Sequence, residues 1–351
     1  MSLKCLDLFC GAGGLSLGFI NAGYEIVAGI DNDDEALLSF KKNHDSAKDI
    51  QYDLSKSLFA SKESIIKKLL NEQIDLIIGG PPCQGMSIAG KRLADDPRNK
   101  LYRAYIKTIE HFEPKAIVLE NVPTITSLFD GIIAEAIVND FSERGYNVSV
   151  HTIFASDYGV PQKRRRTFFV GLKNNAFVFP EPTTKHTPIN CEEAIGDLPL
   201  LEDYTGVELM NYTTEPLCEY QREMRMNSSA IYNHIGVNHK KRTKEIISLV
   251  PDGGNYKNLP LNLQDTRKVH IAWTRMNSKK PSFTIDAGHN HHFHYKANRV
   301  PTVRECARIQ SFPDTFVFYG KVTSQYKQVG NAVPPTLAKQ IAIKLKEYLN
   351  V

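Results

Sequence analysis

The sequence predicts an α/β protein: a doubly wound, mostly parallel sheet with helices on both faces and an inserted, smaller, irregular domain. Three observations lead there. Short apolar runs alternate with helix-period patterns over residues 1–175; residues 176–300 lose that periodicity and are rich in Pro, Asn and His; regular patterns return after Val300. Leu3–Phe9 reads as a buried strand, followed by a Gly-rich turn and a helix over about 13–22. Tyr24–Ile30 is a second strand, ended by Asp31, and a helix runs from about Asp33 to Lys42. A helix near 62–71 leads to a strand at Ile74–Ile78 and then to Gly79-Gly80-Pro81-Pro82. A helix at about 99–112 precedes a strand at Lys115–Glu120, and a long helical pattern runs to Arg144. Tyr146–Phe154 and Thr167–Leu172 are the last strands expected. Beyond the irregular stretch, a short helix is expected near 303–310. A final helix starts after Pro334-Pro335, which suit a first turn, and runs to about Leu349.

Of the 351 residues, 42% are hydrophobic and 23% charged, which excludes a disordered chain, a collagen-like repeat and a disulfide-dense mini-protein. No apolar run approaches the roughly 18 residues that span a bilayer. The opening Met1–Asp7 places an acid where a leader would be apolar. The six cysteines form no Cys-x-x-Cys pair, so a reduced, cytoplasmic protein is expected. Net charge is +4, but it is unevenly spread. Residues 222–300 hold 14 Lys/Arg against 5 Asp/Glu, a local +9, and seven of the eleven histidines. The rest of the chain is net −5. A solvated basic face and a polyanion-facing surface both fit that asymmetry.

The turn Asp7-Leu8-Phe9-Cys10-Gly11-Ala12-Gly13-Gly14 joins the first strand to the first helix, where glycines let the backbone approach a ligand. Asp31 ends the next strand, where a carboxylate can accept both hydroxyls of a ribose. Asp53, after a third extended segment, is placed to hydrogen-bond an adenine amino group. The glycine spacing departs from the dinucleotide Gly-x-Gly-x-x-Gly pattern, which disfavours an NAD oxidoreductase. An adenosine-containing ligand is the better reading.

Cys83 sits on Gly79-Gly80-Pro81-Pro82-Cys83-Gln84-Gly85-Met86-Ser87, a loop stiffened by two prolines at the rim where open α/β sheets hold their active sites. That position suits a nucleophile. Cys5, Cys10, Cys191, Cys218 and Cys306 lack such flanks and read as structural. Glu120-Asn121-Val122 ends the strand Ala116–Leu119, placing a poorly solvated carboxylate at the sheet's mouth. Gln162-Lys163-Arg164-Arg165-Arg166 is a basic run before a strand, in which alternation sends Arg164 and Arg166 to one face and Arg165 to the other. His289–His294 supplies four histidines in six residues, but no Cys or acid block stands at a usual partner spacing, so no metal is expected.

Together these blocks resemble the DNA (cytosine-5)-methyltransferases of bacterial restriction–modification systems. The blocks are Asp7–Phe19, Gly79–Ser87, Glu120–Val122, Gln162–Arg166, Arg304–Pro313 and Gln328–Pro335, in the family's order and spanning nearly the whole chain. The resemblance implies a Rossmann-like methyltransferase fold that uses S-adenosylmethionine and needs no metal. It implies a catalytic and cofactor-binding domain at 1–180, a target-recognition domain at 181–300, a hinge and packing block at 301–327, and a return to the catalytic domain at 328–351.

By the same resemblance Cys83 adds to cytosine C6, Glu120 engages N3, and Arg164 and Arg166 fix the base carbonyl and a phosphate. Phe9, Gly11, Ala12, Gly14, Asp31, Asn32, Asp53, Leu54, Pro82, Leu101, Asn331 and Ala332 then contact the cofactor. Asn32 stands where many relatives carry a bulky residue against the adenine; Phe9 can cover one face instead. Gln84, Ser87, Arg98, Lys240, Lys241, Arg242, Arg275 and His291 are expected to touch DNA, with Arg267–Arg275 and His289–Arg299 as groove-contacting stretches. Gln84–Asn99 is expected to close over DNA. Duplex DNA is the expected partner of a monomer whose cognate restriction endonuclease makes no physical contact with it. A tRNA cytosine-5 methyltransferase shares the Cys83 and Glu120 blocks, but the basic insert favours duplex DNA and the RNA branch's Cys-Phe-Thr element is absent. A DNA-binding regulator without activity would not need Cys83, Glu120 and both arginines together.

Overall fold

The computed structural model describes residues 2–56, 69, 72–82, 99–202, 205–266, 273–287 and 292–349. The expected helix near 62–71 and the loop from Cys83 onward lie outside or almost wholly outside these residues. The described chain divides into two compact units, one of residues 1–154, 165–181 and 337–351, the other of residues 155–164 and 182–336.

The first unit holds a seven-stranded sheet in the order β3-β2-β1-β4-β5-β7-β6. Its elements are β1 (Lys4–Leu8), α1 (Gly14–Asn21), β2 (Glu25–Asp31), α2 (Asp34–Asn43), β3 (Lys48–Gln51), β4 (Leu76–Gly79), α3 (Lys100–Phe112), β5 (Ala116–Asn121), α4 (Ile132–Ser142), β6 (Asn147–Phe154) and β7 (Arg165–Leu172). β1 to β5 run parallel, whereas β7 is antiparallel to both β5 and β6. The ten residues between β6 and β7 are fewer than the dozen or more that a parallel crossover needs, so the pair turns back on itself. β4 and β5 are buried throughout, as interior parallel strands must be, while edge strand β6 is largely exposed or half-buried.

Tyr102, Tyr105 and Ile109 of α3 recur at helical spacing and bury one stripe, joining Ile133, Ile137 and Phe141 of α4 in the main apolar core with Leu6, Ile77, Ile117, Leu119 and Phe169 of the sheet. Each such side chain contributes about 1.5–3 kcal/mol on burial. The expected long helix to Arg144 is broken: a 3-10 turn covers Pro123–Thr126, and α4 begins only after Gly131 in the left-handed conformation. The last helix of the chain, Pro335–Leu349, returns to this unit, where Ala342 O accepts from the Tyr24 hydroxyl at 3.1 Å.

From β1 the chain winds outward to β2 and β3, then returns to β4 on the other side of β1. That reversal opens a crevice beyond the carboxyl ends of β1 and β4, the position where open α/β sheets bind ligands. The glycine turn leaves β1 there, and Gly80-Pro81-Pro82 leaves β4 beside it.

The second unit has little regular structure. It contains α5 (Cys191–Ile195), α6 (Glu219–Arg225), α7 (Lys241–Ser248), α8 (Leu261–Gln264), α9 (Val303–Ile309), α10 (Val322–Asn331) and a two-residue pair, β8 (Leu209–Met210) with β9 (Ile231–Tyr232). An apolar cluster of Ile246, Ile247, Val250, Leu259, Trp273, Phe293 and Val300 forms one core there, and buried ion pairs stand beside it. Arg308, fully buried, pairs with Asp314 at 2.6 Å and Asp197 at 3.3 Å; Arg299 pairs with Glu305 at 2.7 Å. Arg304 donates to the carbonyls of Tyr232, Pro313 and Phe316. Three of these residues and the Thr302–Glu305 capping box belong to α9, so the Arg304–Pro313 block organises this unit from within.

Candidate active site

Phe9 and Gly11 leave β1 in the left-handed region, at φ 61° and 54°. A side chain at Gly11 would meet nothing within 4 Å, so glycine here leaves open room beside the turn. Asp31, half-buried at the end of β2, accepts from Gly11 N at 2.8 Å through one oxygen and from Asp33 N at 3.0 Å through the other. It therefore clips the glycine turn to the second strand and retains a lone pair on each oxygen for a ligand hydroxyl. α1 starts at Gly14 with no side-chain cap and no acid in its first turn, and the positive end of its dipole favours an anion there.

Asp7 belongs to the glycine motif, but sequence assigned it no role. It is 1% exposed; one oxygen accepts from Ser16 Oγ at 2.6 Å and the other has no partner. Burial pushes its carboxyl up to about 7. Its signal was an acid inside the otherwise apolar strand Cys5–Leu8. The open side of Gly11, the Asp31 carboxylate and the orphaned Asp7 oxygen fit an adenosyl ligand that carries both hydroxyls and a cation.

The remaining expected cofactor contacts divide. Ala12 is buried and Asn32 exposed. Asp53 is half-buried and held below the usual carboxylate range by its hydrogen bonds to Ser55. Leu101 lies partly buried against the main core. Leu54 is 3% exposed within that core, so its side chain supports the site rather than lining it. Pro82 is exposed.

Glu120 stands at the end of β5, 8% exposed. Arg166 Nε lies 2.8 Å from its Oε1. The register explains this: Glu120 faces Phe168 on antiparallel β7, and Arg166, two residues earlier on the same face, is the diagonal neighbour. Sequence placed Arg166 against base or phosphate and missed this pair, because the antiparallel turn of β7 was not foreseen. A Cβ on Gly80 would stand 2.9 Å from Glu120 Oε2, so glycine there gives the carboxylate its space. Asn121 Nδ2 donates to Pro81 O at 2.9 Å, tying the end of β5 to the chain two residues before Cys83. Cys83 itself lies outside the described residues, as do Gln84, Ser87, Arg98, the Gln84–Arg98 part of the expected closing loop, and His291.

Arg165 is exposed and stacks over Phe154 at 5.5 Å, while Arg164 is buried, as the alternation expects. In the second unit Arg164 Nη2 donates to Asn331 O at 3.4 Å, and Gln310 Nε2 donates to Ala332 O at 2.5 Å. The other cysteines are buried or half-buried; burial raises Cys5 and Cys10 well above the ordinary thiol value and Cys191 to about 12, as structural thiols require.

Arg275 is a correction. It was expected to reach DNA, but it is 4% exposed and donates to the carbonyls of Ile247, His294 and Ala297 and to Asn298 Oδ1. Trp273 stacks on Phe293 in the core of the second unit, and His294 Nδ1 accepts from Lys296 N and Ala297 N. The described parts of the two expected groove stretches thus supply much of that core. A loop-rich domain must satisfy many inward carbonyls, and a guanidinium with five donors does so. Lys240, Lys241 and Arg242 are exposed at the start of α7. Among the described residues no group of three or more His, Cys, Asp or Glu is arranged to hold a metal ion. Nor is any helix among them long and apolar enough to cross a membrane.

Comparison with known proteins agrees with this geometry. The family model of C-5 cytosine-specific DNA methylases matches residues 3–347. The chain is 37% identical over 347 residues to the Type II methyltransferase M1.HphI of Haemophilus parahaemolyticus, spanning 97% of this chain and 86% of that one. It is 35% identical to M.DdeI of Desulfomicrobium norvegicum, spanning 99% and 89%. A candidate DNA modification methyltransferase encoded within an E. coli prophage superposes over the whole of both chains with a TM-score of 0.81 at 27% identity. With a near-complete family match, that sheet order and the Glu120 and glycine-turn sites in place, the chain belongs to the C-5 cytosine-specific DNA methylases.

Proposed function

We propose that this protein is a DNA (cytosine-5-)-methyltransferase that acts on a cytosine flipped out of a specific duplex sequence, with Cys83 as nucleophile. The observation that carries the reading is the convergence at one crevice of the Asp31-clipped glycine turn and the Glu120–Arg166 pair, the latter tied through Asn121 to the Cys83 loop.

Cytosine C5 is a poor nucleophile. Addition of the Cys83 thiolate to C6 makes the ring enamine-like, and charge then develops at N3, where Glu120 donates or holds a proton. Arg166 orients Glu120, since a guanidinium holds a carboxylate in one geometry better than an ammonium does. Arg164 is read from its sequence block as a partner of the base carbonyl or the adjoining phosphate. S-adenosylmethionine, when bound, supplies the electrophilic methyl. Asp31, the glycine turn, Phe9 and Asp53 would hold its adenosyl part, and Asn331 and Ala332 are read from their block as further contacts. Loss of the C5 proton and expulsion of Cys83 restore the aromatic ring. Flipping the base costs a few kcal/mol, offset by contacts in the pocket.

Residues 181–300 choose the DNA sequence, and Lys240, Lys241 and Arg242 bind phosphate. The protein acts as a cytoplasmic monomer on the nucleoid, alongside a cognate endonuclease it does not touch. The test is methyl transfer from labelled S-adenosylmethionine to duplex DNA against tRNA, with 5-fluorocytosine duplexes as a trap. Transfer to DNA is expected, with covalent capture by wild type and none by Cys83→Ser. Transfer to tRNA alone, or capture by Cys83→Ser, would overturn the reading.

A further inference from the structure

In the second unit the segment Ser282–Ile285 is braced against the basic run that begins at Gln162. Ser282 N donates to Pro161 O at 2.9 Å, and Lys163 N donates to Ser282 O at 2.8 Å. Ile285 N donates to the buried Gln162 side chain at 3.1 Å, and Gln162 Nε2 donates in turn to Gln310 Oε1 at 2.5 Å. Ser282 and Ile285 are buried, whereas Phe283 and Thr284 between them are exposed. Phe283 lies flat on the His292 ring, with centres 4.1 Å apart and planes 13° from parallel. His292 is held as well, since its neighbour Phe293 sits in the apolar core and donates its N–H to Thr274 O at 2.8 Å. Phe283 is still 41% exposed, and with one face on His292 that exposure falls on its other face and rim.

A ring fixed in this way keeps a flat apolar face in water, and the charges around it indicate what covers it. Lys163 and Lys280 are exposed beside the segment, and neither pairs with an acid among the described residues; Lys279, also exposed, pairs with Glu192. The acid of the segment, Asp286, lies beyond the inward-facing Ile285. A flat apolar face flanked by cations is complementary to a nucleobase flanked by phosphates. Inside an intact duplex both faces of a base are stacked, so a free face exists only where a base has left the stack. We propose that Phe283, backed by His292, is a positioning residue for DNA that stacks on a base face uncovered when the target cytosine flips. The proposal rests on the base-flipping function above and deepens it by naming the contact that holds the opened duplex. Stacking reads no donor or acceptor pattern, so Phe283 supports opening without choosing the sequence.

The test uses the full chain with S-adenosylhomocysteine and a short duplex carrying a site that wild type methylates. Phe283→Ala should weaken duplex binding about tenfold, the effect of removing one stacked aromatic ring, while Phe283→Trp retains the affinity. His292→Ala, which removes the backing ring, should lose about threefold. Stacking releases no counterion, so the salt slope of binding should stay the same in all three. The one tryptophan of wild type, Trp273, is buried, so the emission gained in Phe283→Trp reports on position 283. The duplex should quench that emission, and heparin, a polyanion without bases, should not. Unchanged duplex affinity in Phe283→Ala, a lower salt slope, or equal quenching by heparin would overturn the proposal. A ring that merely supports the fold would give no quenching specific to the duplex. Wild type that methylates no duplex would overturn the flipping function itself, a result distinct from active wild type beside variants with unchanged binding.

Discussion

Replacing Asp31 tests how the cofactor end of the site is built. Its carboxylate accepts two backbone N–H groups, at 2.8 and 3.0 Å, before any ligand arrives. Hydrogen bonds to a charged acceptor are worth about 1.5–3 kcal/mol each when buried. Asp31 is half-buried, so water can replace part of each bond and the low end applies. Asp31→Ala should therefore cost about 2–3 kcal/mol of folding stability through the turn. It should cost a further ~3 kcal/mol of cofactor binding, because the ribose hydroxyls no longer meet a carboxylate, about a hundredfold in Kd. Asp31→Asn keeps an acceptor for only one of the two N–H groups and turns its amide against the other, so about tenfold is expected. Calorimetry with S-adenosylhomocysteine measures both variants, and kcat at saturating cofactor should hold within a small factor, as when uniform binding is removed. The ribose assignment has its own check: 2′,3′-dideoxyadenosine should bind wild type and Asp31→Ala equally, because the hydroxyls and the carboxylate act as one coupled pair. If adenosine loses no more on the mutation than its dideoxy analogue, the carboxylate serves the turn alone and the reasoning fails.

Glu120→Gln should leave DNA and cofactor binding intact and lower the single-turnover methylation rate by about 10²-fold or more, the range for a general acid–base group; a change confined to cofactor affinity would contradict its placement beside Arg166. Neutralising Lys240, Lys241 and Arg242 together should weaken binding to all duplexes alike and reduce the log–log salt slope by about 0.9 for each phosphate left without its cation; a change in the methylated sequence would show that they read bases. Stability should fall with acid first in the second unit. His234 and His294 are buried neutral there, His294 at about 4, so their folded values lie below the unfolded 6.5 and the unfolded chain takes up protons first as pH drops from 6.5 toward 4. For His294 the full shift is worth about 3 kcal/mol. In the first unit His44 acts in the same sense, but Asp7 opposes it. Its folded value, about 7, lies above the unfolded one, so the folded state gains protons, and stability, over that window. Hydrogen exchange at pH 5 should show protection falling in α9 before β1 and β5, and the reverse order would refute the assignment.

Much of the first unit was legible because its physics is local and periodic. Buried parallel strands write themselves as continuous apolar runs, and β1, β2, β4 and β5 were placed to within two residues. Strand direction was not legible: whether β7 runs with or against β5 depends on how the Ala155–Arg164 connection folds, and that decided Arg166's partner. Glu120 and Asp31 were legible because a carboxylate ending an apolar strand conflicts with its surroundings.

The charge reading of residues 222–300 shows where sequence inference needs burial. The +9 excess fits a solvated basic face or a surface facing a polyanion, and its charges in fact serve two purposes. Arg275 and Arg299 are nearly inaccessible, the first satisfying carbonyls and the second paired with Glu305, while Arg225 lies over the Tyr212 ring at 3.7 Å and pairs with Asp197. These buried arginines satisfy carbonyls and carboxylates around the apolar core of the unit, and being largely inaccessible they release no counterions when DNA binds. Lys240, Lys241 and Arg242 are different: long, exposed, unshielded by any acid in the first turn of α7, and set where the helix dipole adds to their potential. Side by side there, they oppose one another and the dipole unless an anion lies across them. The salt slope of DNA binding should therefore track the exposed cations of this region rather than its net charge.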